Sequence, residues 1–465
     1  MKIRPLFPLA LAGISGWITY PLVAQEARPI SATLDLSQRF ESGDNLALES
    51  PSEGTTNLST TSLTFNLNSA TETQALDFSV GGLLRLGDLP ENSDASTGFG
   101  EPHVRLGYDR NTGNAALSFD TFYRQNEVGF LRPLDDFTDA DGNINLPPDF
   151  NDLNGTGTRD RYGFDTSLEI GQNAPLGFIF DASADALEYN DVSAGSDLND
   201  NWRAAAGITT LFRASETTTG RLELDYSRFE EENDEDTKRD RYSALAGVTY
   251  ELDQITTLDF GLGYEEIVTH ETTGTETEAG PIGRIGYARI MPNGTADVSL
   301  ESTRDQSGQR YTFEAGRSLN LALGQELSTS LGVTTLDGED PNIIGGIEFL
   351  RELDSSRLRF SANRQVLTDS DDEERLTNRV GLGYDYDINS ISGLGINFGY
   401  SLAEGNAFSN EVERTSTEIS YRRSLTEEWS LRSGVLYEYR AEENDDDADS
   451  TSIFVTLDRT FDLLN

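Results

Sequence analysis

Cysteine is absent from the 465 residues, and methionine and histidine occur twice each. The chain therefore has no disulfides, no thiolate metal sites and no cysteine nucleophile. Basic residues are scarce: 35 Lys and Arg face 81 Asp and Glu, a formal charge of −46. That sign is wrong for gripping the phosphates of a nucleic-acid duplex. Beyond the N-terminus no run of 18 apolar residues occurs, which excludes a helical membrane protein. Hydrophobic residues make up only 36%, and low hydrophobicity with high net charge is a composition of disordered chains. Against disorder stand 17 Tyr and 23 Phe, placed at regular intervals.

The first residues supply the compartment. Lys2 and Arg4 form a basic start, Leu6 to Val23 carries no charge, and Ala24 precedes Gln25 and Glu26. This is the order of a secretory signal peptide over 1–24, cleaved after Ala24. A retained membrane anchor is the alternative, and Pro8, Gly13, Gly16 and Pro21 interrupt the segment against it. Cleavage would remove Lys2 and Arg4 and take the charge from −46 to −48. Residues 25–465 then form one domain.

Through that domain, segments of about ten residues alternate apolar and polar side chains, the period-2 signature of a strand with two different faces. Leu222, Leu224 and Tyr226 share one face, while Arg221, Glu223 and Asp225 share the other. Leu358, Phe360, Ala362 and Val366 oppose Arg357, Arg359, Ser361, Asn363 and Gln365, with Arg364 an exception on the apolar face. Leu436 is a second exception, on the polar face of Trp429 to Arg440. Twenty-two such segments run from 31–40 to 451–461, with the pattern weakest at 31–40, 60–69, 74–85 and 280–291. Any even number from 16 to 24 fits nearly as well.

Connections alternate as well. After even-numbered segments they are short, as in Asp253-Gln254 and Pro292-Asn-Gly294. After odd-numbered ones they are longer and acidic, as in Glu230 to Asp236, Asp369 to Glu374 and Glu442 to Asp449. Short periplasmic turns and long extracellular loops belong to transmembrane β-barrels. The expected fold is thus all-β: an antiparallel up-and-down barrel of about 22 strands. If odd segments run outward, Tyr123, Tyr162, Trp202, Tyr226, Tyr242, Tyr264, Tyr311, Tyr400 and Tyr437 ring the outer rim. Tyr108, Phe212, Tyr250, Phe349, Tyr384, Tyr421 and Trp429 then ring the inner one. Two aromatic girdles are what amphipathic rings form at membrane interfaces.

The run Arg241-Tyr-Ser-Ala-Leu-Ala-Gly-Val-Thr-Tyr250 and then Thr257-Leu-Asp-Phe-Gly-Leu-Gly-Tyr264 is similar to Gram-negative outer-membrane β-barrels of the porin type. Val380 to Tyr386 and Leu394 to Tyr400 repeat it. The resemblance covers residues 25–465 and implies architecture and an outer-membrane location, with lipid, lipopolysaccharide and the barrel-assembly machinery as partners. It does not imply a substrate. One departure is that such barrels often end on Phe, whereas here Phe461 is followed by Asp-Leu-Leu-Asn465.

A barrel this wide leaves a lumen that its side chains do not fill. The inferred inward residues are charged: Arg221, Glu223, Asp225, Asp259, Glu265, Glu301, Glu314, Arg357, Arg359, Arg379, Asp385 and Arg432. Water accommodates them and a dry core would not, so passive diffusion of small hydrophilic solutes is the leading function. The connection 126–159, carrying Asp135, Asp136, Asp139, Asp141, Asp149 and Asp152, is far longer than the others. Connections of that length are usually functional or disordered; this one reads either as a constriction folded into the lumen or as a solvated flap.

The acidic outer loops would attract cations to the mouth, or simply solvate the surface. No cofactor is expected beyond loosely held divalent cations. Asp139-Ala-Asp-Gly-Asn143 has its Gly at the wrong offset for an EF-hand and lacks the bidentate Glu. An enzyme is disfavoured because His103 and His270 are isolated and no nucleophile-elbow, zinc or phosphate-loop motif occurs. A plugged transporter is disfavoured because strands begin near residue 31. A non-conducting structural barrel, or one serving surface-polysaccharide export, has the same wall and remains the alternative. Ala182, Ala184, Ala204 and Ala206 form a small-residue patch of the kind found at homo-oligomer contacts.

Overall fold

The computed structural model describes residues 30–464 except 49, 53, 91–96, 132–133, 135–136, 138–143, 145–146, 152, 154–155, 193–197, 369–373, 406–409 and 445. The expected signal peptide, all but one of the loop aspartates and the Asp139–Asn143 motif lie outside the described residues. Twenty-two strands follow one another: β1 (Ile30–Asp44), β2 (Thr55–Ala70), β3 (Gln74–Asp88), β4 (Gly98–Asn111), β5 (Ala115–Glu127), β6 (Thr158–Ile170), β7 (Leu176–Asn190) and β8 (Asn201–Ser215). Next come β9 (Thr218–Glu231), β10 (Lys238–Asp253), β11 (Thr256–Glu271), β12 (Gly274–Met291), β13 (Gly294–Asp305), β14 (Gly308–Ala322) and β15 (Gln325–Leu336). The last are β16 (Asn342–Leu353), β17 (Ser356–Thr368), β18 (Glu374–Asn389), β19 (Ser392–Ala403), β20 (Val412–Ser424), β21 (Trp429–Glu442) and β22 (Ala448–Asp462).

Each strand pairs antiparallel with the next, and β22 returns to β1 in a register from Thr33↔Asp462 to Asp44↔Thr451. The sheet is closed. Closure leaves no edge with unpaired N–H and C=O groups, the condition for crossing hydrocarbon with strands. At 4.8 Å between strands and the usual barrel tilt, 22 strands enclose a backbone diameter of roughly 45 Å.

The alternation in sequence becomes an inversion of the soluble pattern. On β9 and β11 the apolar set points outward: Leu222, Leu224, Phe260, Leu262 and Tyr264 are 40–70% exposed. The intervening residues face the lumen. Cross-strand register builds the aromatic girdle, with Tyr123 opposite Tyr162 and Tyr226 opposite Tyr242, ring centroids 5.2 and 5.1 Å apart. The exception at Arg364 is resolved at the outer rim, where Nη1 reaches Asn378 Oδ1 and Glu404 Oε1, both at 2.7 Å. Leu436, the other exception, is buried inside the barrel.

Two expectations need correction. The weak segment at 280–291 is an 18-residue strand, β12, that starts at Gly274. Its connection to β11 is the two-residue turn 272–273 rather than a long acidic loop. Glu276 and Glu278 interrupt the hydrophobic alternation, so the strand extends past the apolar band, where backbone pairing with β11 and the Glu278–Arg304 ion pair hold it. His270 accordingly sits on β11, its ring nitrogen 2.8 Å from Thr275 Oγ1.

The outward assignment carries a prediction. Leu262 lies mid-strand on the lipid side and is 70% exposed, so Leu262→Arg should destabilise the barrel by about 2–4 kcal/mol. Equilibrium unfolding from lipid vesicles measures this, and an unchanged stability would place Leu262 away from lipid.

Candidate functional site in the barrel lumen

All twelve charged residues read as pore-lining occupy inner-face positions. Strand curvature then decides which of them meet. On β9–β12 Arg221 is bidentate to Asp259, at 2.6 and 2.7 Å, and its Nε lies 2.7 Å from Glu223 Oε1. Arg284 closes the group, with Nη2 2.7 Å from Glu223 Oε1 and Nε 3.1 Å from Asp259 Oδ1. Thr249 Oγ1 donates to Asp259 Oδ2 at 2.8 Å. Arg284 on β12 reaches Glu223 on β9, three strands away, which only the concave face of the sheet allows. Arg284 was missed in the sequence because Gly280, Pro281 and Gly283 blur the alternation around it.

Other residues from the set also pair. Arg241 Nη2 lies 2.5 Å from Glu265, Arg359 Nη2 lies 3.0 Å from Asp385, and Arg432 pairs with Glu418. Arg357 meets Glu352 at 3.1 Å near the periplasmic turn. Asp225 stands beside Gly207, where a Cβ would come 2.6 Å from its Oδ1. Glu301 and Glu314 share the β13–β14 wall, one rung apart, since Glu314 pairs with Ser299. Arg379 is different: it is 6% exposed, and no carboxylate lies within 4.0 Å of it among the described residues.

The described part of the long connection lies inside the lumen. Asp149, in a short 3-10 turn at Pro148–Asn151, is buried and bidentate to Arg159 of β6, at 2.6 and 2.9 Å. Tyr189 of β7 donates its hydroxyl to the same carboxylate. Beyond this anchor the segment crosses to the far wall. Arg379 of β18 donates to Ile144 O at 2.9 Å and Arg414 of β20 to Leu153 O at 3.2 Å. The Arg414 guanidinium also stacks over Phe150, 4.5 Å from the ring centroid. Leu134, Ile144 and Phe150 cluster there, and a Cβ on Gly399 of β19 would stand 3.2 Å from Leu134. A second cluster of Leu153, Leu187, Tyr189 and Leu198 secures the near side. Asp135, Asp136, Asp139, Asp141 and Asp152 lie outside the described residues. Between Ile144 and the wall of β13–β18 a cavity of about 390 Å³ stays open.

The apolar outward belt, the closed sheet and the charged interior decide the architecture. The chain is a transmembrane β-barrel of the outer-membrane type. No protein-family model matches it, and no curated protein matches it in sequence. Solved structures do match in fold. The FrpB iron transporter of Neisseria meningitidis is 11% identical, with a TM-score of 0.60 over 93% of this chain and 82% of its own. The ferric-catecholate import receptor Fiu of E. coli K12 is 9% identical, with a TM-score of 0.59 over 92% and 81%. The siderophore receptor PirA of Pseudomonas aeruginosa is 10% identical, with a TM-score of 0.51 over 93% and 81%. At these identities the likeness is one of fold, and fold does not carry cargo.

The Asp149 anchor is testable. Asp149→Asn leaves Arg159 buried without its counter-charge, which costs about 3–5 kcal/mol. Backbone amides within 128–157 should then exchange with solvent at least about a hundredfold faster while strand amides hold. Unchanged exchange in the loop would remove the anchoring role.

Proposed function

We propose that the protein is an outer-membrane channel for passive diffusion of small hydrophilic solutes, narrowed by the 128–157 segment. The observation that carries this reading is the open cavity beside that segment. Its inner-face lining is mostly Gly, Ser, Asn and Gln, with Asp297, Glu348 and Arg379 as charged members, which suits a wetted path rather than a packed core. Diffusion needs only such a path, and charges along it tune ion preference. With 81 acidic residues and long acidic outer loops, the mouth gathers cations and the channel prefers them. In this reading outer-membrane lipid and lipopolysaccharide surround the belt.

One observation favours a second reading. A segment anchored on both sides of the lumen, together with ion-paired walls, also suits a non-conducting structural or export-associated barrel. Single-channel recording in planar bilayers under a salt gradient separates the two. The diffusion reading expects stable conductance with a cation-selective reversal potential. Replacing 130–155 with a short Gly-Ser linker should raise the conductance several-fold. Silence from protein that keeps its heat-modifiable β-structure would overturn the channel and favour the structural barrel.

A further inference from the structure

We propose that Arg379 anchors a binding subsite for a small solute with one carboxylate and hydrogen-bond donors along its body, seated in the cavity beneath Ile144. The proposal deepens the diffusion reading by naming a solute class. It rests on that reading for the solute's passage but not for its binding.

Arg379 lines the cavity and is 6% exposed. Its Nη1 is used, donating to Ile144 O at 2.9 Å. Its Nε and Nη2 are buried and have no hydrogen-bond partner among the described residues. Arg221, Arg241, Arg284 and Arg359 all face carboxylates in the same lumen, so the want of one here is not a general property of the wall. An unpaired buried charge is costly, and a ligand that completes it removes that cost. The free atoms also define the ligand's shape. Nε–H and the adjacent Nη2–H lie parallel along one edge of the guanidinium, the fork that matches the two oxygens of a carboxylate. A single guanidinium balances a single negative charge.

The sheet register extends the site away from that fork. Arg379 pairs with Asn363, Asn363 with Gly346, Gly346 with Ser330, Ser330 with Gly316 and Gly316 with Asp297. This single rung runs from five residues below the outer end of β18 to three residues above the periplasmic end of β13. Because strands tilt in a barrel, the rung climbs through the membrane as a track. Gly346 leaves space on it, the Asp297 carboxylate lies over Gly316, and Ser330 and Asn363 offer hydrogen bonds. Glu348 and Asp297, also lining the cavity, accept from hydroxyl or ammonium groups and repel a second negative charge. The track thus takes a monocarboxylate with a donor-rich body.

Titration calorimetry on the full barrel in detergent tests binding independently of conduction, with sodium gluconate and sorbitol as probes. Sorbitol has the same hydroxylated body without the carboxylate. Gluconate should bind at least tenfold more tightly than sorbitol, and Arg379→Gln should lower its affinity about tenfold or more. Asn363→Asp keeps the guanidinium but sets a carboxylate at its cross-strand register partner, and should weaken gluconate similarly. Arg379→Lys, with charge but no fork, should fall between. Heat-modifiable migration checks folding of each variant. No gluconate binding to the unaltered barrel, equal binding of sorbitol, or full binding in both Arg379→Gln and Asn363→Asp would overturn the subsite. Vesicle swelling in sorbitol reports the diffusion reading separately. Binding without swelling removes diffusion and keeps the subsite, and swelling without binding does the reverse.

Discussion

Hydrocarbon offers no partner to a backbone N–H or C=O, and every other feature of this barrel follows from that. A sheet with an edge would leave a row of such groups unpaired inside the bilayer, each at a cost of several kcal/mol. Pairing β22 with β1 removes the edge. Once the ring is closed, each strand has one face on lipid and one on the lumen, and the period-2 alternation sorts side chains between them. Leu262 and Tyr264 go out; Asp259, Gly261 and Glu265 go in.

The same closure decides the chemistry inside. Inner faces of a ring converge, so residues several strands apart come within reach of each other. Arg284 on β12 meets Glu223 on β9, and Arg310 on β14 meets Glu374 on β18, about 19 Å away along the wall at the usual strand spacing. A chain of −46 net charge has too few arginines to leave them idle, and several, Arg221, Arg284 and Arg310 among them, sit where two carboxylates share them. The loop anchor Asp149–Arg159–Tyr189 uses the same device to hold an internal segment, and Arg379 and Arg414 hold its far side through backbone carbonyls.

The lumen is consequently uneven. Charge lattices line β9–β12, described residues of 128–157 contact β18–β20, and across β13–β17 the rung through Gly316, Ser330, Gly346 and Asn363 is small and polar between more charged positions. The fold is shared with siderophore receptors and an iron transporter at 9–11% identity. A common barrel places no constraint on what occupies it. The proposed diffusion path therefore rests on the space between Ile144 and that wall.

Local pattern was enough to set the architecture. Each of the 22 expected segments coincides with a strand, including the weak one at 280–291, because face alternation and turn chemistry are written within about ten residues. The inner-face positions of the twelve charged residues were legible for the same reason. Partnerships were not. Arg284 was hidden by Gly and Pro neighbours and the tight turn at 272–273 by threonines and glutamates that read as loop, while the acidic composition of 128–157 left an inward course and a solvated flap both open. Sequence by itself determined the all-β barrel class, the sorting of faces and the membrane setting, while the closed count of 22 strands came from the pairing of β22 with β1. Tertiary structure alone decided which charges pair, where the long segment lies and why Arg379 keeps a free fork, because those depend on ring closure and register between residues far apart in the chain.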